Sequence, residues 1–222
     1  FGSLVGLGGA VVIIPLLTGW ARVTQHKAHV TSLVAVVFTG IVGAISYARG
    51  GAVDLPLALA VAAAATVSAI VAATFSEKVP AQVLRRIFGG LIVITSLVLL
   101  IGIDLPGGGI TGTARYFAGV GLGLMSGVLT GLLGIGGGAF VVPILVLGFG
   151  LDQHLAQGTS LAVMIPAGIA GTLVHWRAGR LDFSLIWGLV LGVMVGAFLG
   201  GEFALGLPER PLQVIFGVIL IW

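Results

Sequence analysis

The 222-residue chain contains no cysteine, only two tyrosines, and only ten basic and seven acidic residues. Without cysteine there can be no disulfide and no thiolate metal site. Charged residues make up 8% of the chain, whereas a soluble domain carries roughly 25%. The chain therefore lacks the polar coat that keeps a globular domain in water. Carboxylates are also badly placed for cation chemistry. Asp54, Glu77, Asp104, Asp152, Asp182 and Glu209 fall in or beside loops, and Glu202 alone sits within an apolar run. That leaves no acidic row for a cation pathway, and makes Glu202 the one candidate for proton coupling. No HExxH pair, Walker loop or Gly-x-Ser-x-Gly elbow occurs, so hydrolysis and nucleotide use find no support. No enzyme activity, cofactor or metal is implied, and a net charge of +3 suggests no nucleic-acid partner.

Hydrophobic residues supply 58% of the chain, and the apolar runs reach the ~20 residues that cross a ~30 Å hydrocarbon core. The expectation is an all-α, multi-pass integral membrane protein whose partner is the lipid bilayer. The first half recurs in the second at an offset of 128 residues without a gap. Gly6, Gly8, Gly9 and Pro15 return as Gly134, Gly136, Gly137 and Pro143; Thr31 and Ser32 return as Thr159 and Ser160; Arg49 and Asp54 return as Arg177 and Asp182. Two repeats follow, over 1–103 and 104–222. The first keeps only Phe1–Val5 of its opening segment, and the second ends inside an apolar run, so the chain reads as trimmed at both ends.

Each repeat divides into apolar segments. The second gives Ala114–Leu133, Ala139–Phe149, Ala156–Trp176, Phe183–Leu205 and Pro208–Trp222; the first gives Val11–Gly19, Ala28–Ala48, Leu55–Phe75 and Pro80–Ile101. Glycine-rich breaks separate the first two segments of each repeat. The short second segment either dips in and returns as a re-entrant hairpin or crosses, so a repeat holds three or five crossings. Both counts are odd, which predicts two inverted-topology repeats. Inversion puts Arg22, Lys27, Lys78, Arg85, Arg86, Arg177 and Arg180 on one side, with Arg49, Arg115 and Arg210 on the other. The positive-inside bias makes the richer side cytoplasmic. Glycines at 119, 123, 127 and 131, and again at 188, 192, 196 and 200, form one-faced stripes expected to act as packing scaffold.

Duplicated, broken helices place a binding site between the two halves of a transporter. Gly8 and Gly9, with Gly136, Gly137 and Gly138, precede short helices whose first N–H groups and dipole suit an anion. Thr31, Ser32, Gln157, Thr159 and Ser160 would add neutral donors, although Thr and Ser near a helix start also suit N-capping. Arg49 and Arg177 could clamp or gate, or simply snorkel or pair with the nearby Asp54 and Asp182. His29 occupies the place of Gln157. His26 and His154 read as exposed turn residues with a substrate or proton role open, and His175 as an interfacial anchor. Rival readings are a passive anion channel, and a cation or metal carrier using His26, His154 and Glu202.

The stretch Gly134–Pro143, followed by Gln157-Gly-Thr-Ser-Leu161 and duplicated in the first half, resembles the TauE/SafE family of membrane permeases. That resemblance covers the whole chain, departing at Ala10 for Gly138 and His29 for Gln157. It implies a permease of the bacterial inner membrane for sulfur-containing anions, such as sulfite and sulfonates including sulfoacetate. Proton coupling is compatible with such a carrier. The second half, as the fuller match, is expected to hold the substrate more closely.

Overall fold

The computed structural model describes residues 2–19, 24–75, 89–90, 93, 97, 109–134, 136–179, 181 and 183–221. Among them are eight helices and no strand: α1 (Ala10–Gly19), α2 (Gln25–Arg49), α3 (Leu55–Phe75), α4 (Gly112–Leu133), α5 (Gly138–Leu147), α6 (Gln153–Arg177), α7 (Phe183–Leu205) and α8 (Glu209–Ile221). Among the described residues four apolar stretches are long enough to cross a membrane: Lys27–Arg49, Leu55–Phe75, Gln153–Arg177 and Ile186–Leu205. The segment expected at Pro80–Ile101 lies almost wholly outside the described residues, as do Arg22, Lys78, Arg85, Arg86 and Arg180.

The 128-residue offset carries through to the backbone. α1 and α5 start and stop at matching positions, and so do α2 and α6. α1 and α5 each have ten residues, or ~15 Å of rise, half of what a crossing needs. Before them, residues 2–9 run through turns, whereas α4 is a full helix closed by left-handed Gly134.

At the centre α2 packs against α6, and small residues set the register. Gly40 and Gly43 of α2 approach Leu161 of α6; in return Gly168 and Gly171 of α6 approach Val37 and Leu33 of α2. Numbers rise along one helix as they fall along the other, so the two are antiparallel. The contacts also exchange under the offset, since Gly43 and Leu161 correspond to Gly171 and Leu33. Outside this pair, α3 lies on α6 and α7 lies on α2, again as equivalents.

α3 also carries α4, and here the glycine stripe explains the contact. Gly119 faces Leu57 and Val61, Gly123 faces the Val61 carbonyl and Ala64, Gly127 faces Ser68 and Ala65, and Gly131 faces Ala69 and Ala72. A face without side chains lets two backbones approach closely, which gains dispersion contacts where lipid offers no hydrophobic drive. The second stripe meets none of the described helices in this way. A Cβ at Gly188, Gly192 or Gly196 would meet nothing within 4 Å. No described helix covers that face of α7.

The charges segregate by end. Arg115, at the start of α4, pairs with Asp54 just before α3, and that end also holds Arg49 and the Glu209–Arg210 start of α8. Asp54 thus takes Arg115 rather than the expected Arg49. Antiparallel α2 and α6 put Lys27 and Arg177 together at the opposite end.

Candidate functional site

The two glycine breaks meet tip to tip at the centre. Gly8 and Gly136 have φ of 71° and 80°, a left-handed conformation that suits glycine and disfavours a Cβ. Both face the same two side chains. A Cβ at Gly8 would lie 3.0 Å from Val36 Cγ1 and 3.1 Å from Met164 Sδ, and one at Gly136 would lie 3.4 Å from Met164 Sδ. Val36 and Met164 are themselves equivalent positions, one on α2 and one on α6.

Each break ends by starting a short helix in the same way. Val12 and Ile13 donate to the Gly9 carbonyl at 3.1 and 3.0 Å, and their counterparts Phe140 and Val141 both donate to the Gly137 carbonyl at 3.0 Å. The N–H groups just ahead of these donors, on Gly138 and Ala139 in α5, have no intrahelical acceptor. Ala10 in place of Gly138 has a packing reason. A Cβ on Gly138 would collide with the Met164 methyl, whereas Ala10 packs in one buried cluster with the shorter Val36 and Met164.

The predicted hydroxyls are buried, but most serve the backbone. Ser32 Oγ lies 2.8 Å from the His29 carbonyl and 3.2 Å from that of Gly134, and Ser160 Oγ mirrors it by donating to the Gly6 carbonyl at 3.3 Å. Each repeat's serine therefore tethers the other repeat's glycine break. Thr159 Oγ1 accepts from the Asp54 N–H at 3.0 Å, which fixes the turn into α3. Thr31 is buried beside Ser32. The capping alternative fails for Thr159 and Ser160, because α6 starts six residues earlier and Asp152 caps it, accepting from the Leu155 N–H at 2.8 Å.

Gln157 is the predicted residue that retains free donor capacity. It is fully buried under Gly6. Its Oε1 accepts a 2.6 Å hydrogen bond from the Tyr47 hydroxyl, which also lies 3.3 Å from the Ser3 carbonyl. Gln157 Nε2, Ser3 Oγ and Ser46 Oγ are all buried without a hydrogen-bond partner among the described residues. The two serines share one spot, since a Cβ at Gly201 would lie 3.1 Å from Ser3 Oγ and 3.4 Å from Ser46 Oγ. Buried polar groups are nearly always paired, so three such donors around one glycine break make this the candidate site. Sequence reasoning missed Ser3, Ser46 and Tyr47 because it searched for repeated positions. Their counterparts are Gly131, Val174 and His175.

A cavity of about 260 Å³ opens beside this cluster, lined by Gly2, Gly9, Thr39 and the uncovered α7 glycines 188, 192 and 196. Gly201, one turn beyond the cavity wall at Ala197, touches Ser3 and Ser46.

The remaining candidates do not converge on the centre. Arg49 and Arg177 are exposed at opposite ends, and Glu202 is exposed on α7. His154 is half-buried in the first turn of α6 with Nε2 3.1 Å from the Ala204 carbonyl, and the His26 side chain lies outside the described residues. His175 is buried, with 5% of its surface exposed, which corrects its reading as an interfacial anchor. Among the described residues no three His, Asp or Glu side chains gather as a metal site.

The profile of the family described as "Sulfite exporter TauE/SafE" matches residues 1–222. The chain is 29% identical to the probable membrane transporter protein YdhB of Bacillus subtilis, over 95% of this chain and 88% of that one. It is 27% identical to the probable membrane transporter protein YunE of the same organism, over 99% and 89%. A plant relative, sulfite exporter TauE/SafE family protein 5 of Arabidopsis thaliana, is 30% identical over 50% of this chain and 25% of its own. No solved structure matches.

Proposed function

Because the chain belongs to the sulfite exporter TauE/SafE family of membrane transporters, we propose that it is a secondary carrier of small sulfur oxyanions, sulfite and sulfonates such as sulfoacetate, in the bacterial inner membrane. The observation that carries this reading is the set of three orphaned donors, Gln157 Nε2, Ser3 Oγ and Ser46 Oγ. A sulfur oxyanion presents several acceptors on a compact tetrahedral or pyramidal frame, and hydroxyls and an amide offer the matching donors. A cation would need the opposite. The Gln157 oxygen is already taken by Tyr47. Neutral donors also avoid the cost of holding a permanent charge inside the membrane when the site is empty.

In this reading the repeats lie inverted in the membrane, supported by the antiparallel course of the equivalent helices α2 and α6. The Lys27 and Arg177 end is cytoplasmic. α1 and α5 enter from opposite sides and stop at the glycine breaks. The anion binds between the Gly6 break and the Ser3–Ser46–Gln157 cluster, reached along the α7 cavity, and rocking of one half against the other exposes it to each side in turn. Thr31, Ser32, Thr159 and Ser160 hold the breaks in place.

Sulfite counterflow in proteoliposomes tests this. Gln157→Leu should lower flux about tenfold or more, as expected for losing a ~1.5–3 kcal/mol hydrogen bond to a charged group. Ser46→Ala should lower it less, with both variants remaining folded. Wild-type counterflow in Gln157→Leu would remove the site assignment, and conductance without counterflow would make the protein a channel.

A further inference from the structure

A side-chain amide has a donor end and an acceptor end of nearly the same shape, so packing alone does not choose which one faces a neighbour. For Gln157 that choice decides what the site can hold. With Nε2 free the amide attracts an anion, and with Oε1 free it repels one.

Tyr47 makes the choice. Its hydroxyl oxygen lies 2.6 Å from Gln157 Oε1. That separation falls within the ~2.5–3.0 Å of O–H···O bonds and is shorter than the ~2.7–3.2 Å of N–H···O bonds, so the oxygen of the amide faces Tyr47. The hydroxyl has one hydrogen to give. The second acceptor in reach is the Ser3 carbonyl, at 3.3 Å, and it already accepts from the Gly6 N–H. The hydrogen therefore goes to the nearer oxygen, Gln157 Oε1. Tyr47 is left with nothing to donate to a guest, and Gln157 Nε2 is left buried without a partner among the described residues. We propose that Tyr47 is a positioning residue that sets the site's preference for anions by holding the Gln157 amide with its nitrogen free, an inference that rests on the carrier reading above.

The rest of the pair is fixed by packing. Tyr47 and Gln157 are both fully buried. Tyr47 lies a turn beyond the Gly43–Leu161 contact, where Gly158 of α6 makes room for it: a Cβ there would lie 2.8 Å from Tyr47 Cβ. Gly6 covers the Gln157 stem in the same way, since a Cβ on Gly6 would lie 3.0 Å from Gln157 Cγ. Only the terminal amide torsion, which is broad and roughly two-fold, stays open to choice. Burial keeps water from competing for the amide, which strengthens the hold of a single hydrogen bond. The arrangement occurs once, because the 128-residue offset puts His175 and His29 in the places of Tyr47 and Gln157.

Tyr47→Phe separates holding from filling, since it keeps the ring against Gly158 and removes only the hydroxyl. In sulfite counterflow it should raise the half-saturating sulfite concentration roughly three- to tenfold, the effect of one ordinary hydrogen bond, with the maximal rate near that of wild type. The rise should vanish in a Gln157→Leu background, where no amide is left to turn. Wild-type half-saturation in Tyr47→Phe overturns the proposal. A rise of equal size in the Gln157→Leu background also overturns it, because Tyr47 would then act without Gln157.

The infrared stretch of the Gln157 side-chain carbonyl provides a readout independent of flux, with isotope-labelled glutamine side chains and the Gln157→Leu variant to identify the band. Loss of the Tyr47 hydrogen bond should move the band to higher frequency in Tyr47→Phe, and an unmoved band overturns the proposal. Failure of the wild type to move sulfite would instead overturn the carrier reading, leaving the band to decide which end of the amide Tyr47 holds.

Discussion

The glycine stripe of α4 and that of α7 share a spacing of four and differ in what they meet. Gly119, Gly123, Gly127 and Gly131 lie against the backbone of α3, whereas Gly188, Gly192 and Gly196 face a cavity of about 260 Å³. α3 and α7 are equivalent helices. A Cβ at Gly137 would press on Ser126 and Thr130 of α4, whereas one at Gly9 would make ordinary contact with Ile13, Thr39 and Gly2, the last in the place of Thr130. Among the described residues, therefore, the α4 stripe packs on α3, and the α7 stripe borders the cavity instead. Spacing alone signals that a face can be approached closely, without saying by what.

Three substitutions test that contrast. Gly127→Leu should have the largest effect, because even a Cβ there runs into Ser68 and the Ala65 carbonyl. Backbone cannot yield as a side-chain tip can, so no folded protein should survive detergent extraction and size-exclusion chromatography. Gly138→Ala comes next. It should cost at least ~1–3 kcal/mol, because the Cβ meets both the Met164 methyl and the Gly6 carbonyl, seen as a lower melting temperature, and Met164→Val should restore only the share owed to the methyl. Gly192→Leu should affect the fold least, within ~0.5 kcal/mol, since no described residue lies within 4 Å of its Cβ position. It should nevertheless cut sulfite counterflow several-fold by filling the cavity. Unaltered flux would mean that the open face is not an entry route.

The fold was legible wherever the repeat spoke twice. Helix boundaries of α2 and α6 could be bracketed because Gly50, Gly51 and Gly179 punctuate both copies, and the half-length of α1 and α5 follows from their glycine starts. The candidate site was less legible, because a repeated residue is one that symmetry uses. Ser32 and Ser160 recur since each tethers the opposite glycine break, a structural task that both halves need. The orphaned donors sit where the copies diverge, at Ser46 against Val174 and Gln157 against His29. Partners across the bundle were also out of reach: no local pattern announces that Thr159 receives the Asp54 N–H, or that Asp54 pairs with Arg115.

The exchange of tethers, Ser32 to Gly134 and Ser160 to Gly6, has the form of an isologous interface, in which residue i meets j and j meets i. Joined in one chain, such a pair behaves as a homodimer released from its own symmetry. In a true homodimer every substitution appears at two places, so a hydrogen-bonded Tyr–Gln pair at one end of the central crossing would require the same pair at the other. Fusion removes that constraint. The two ends of α2 and α6 are free to differ, with Tyr47 and Gln157 at one and His175 and His29 at the other, while the shared tethers keep the halves in register.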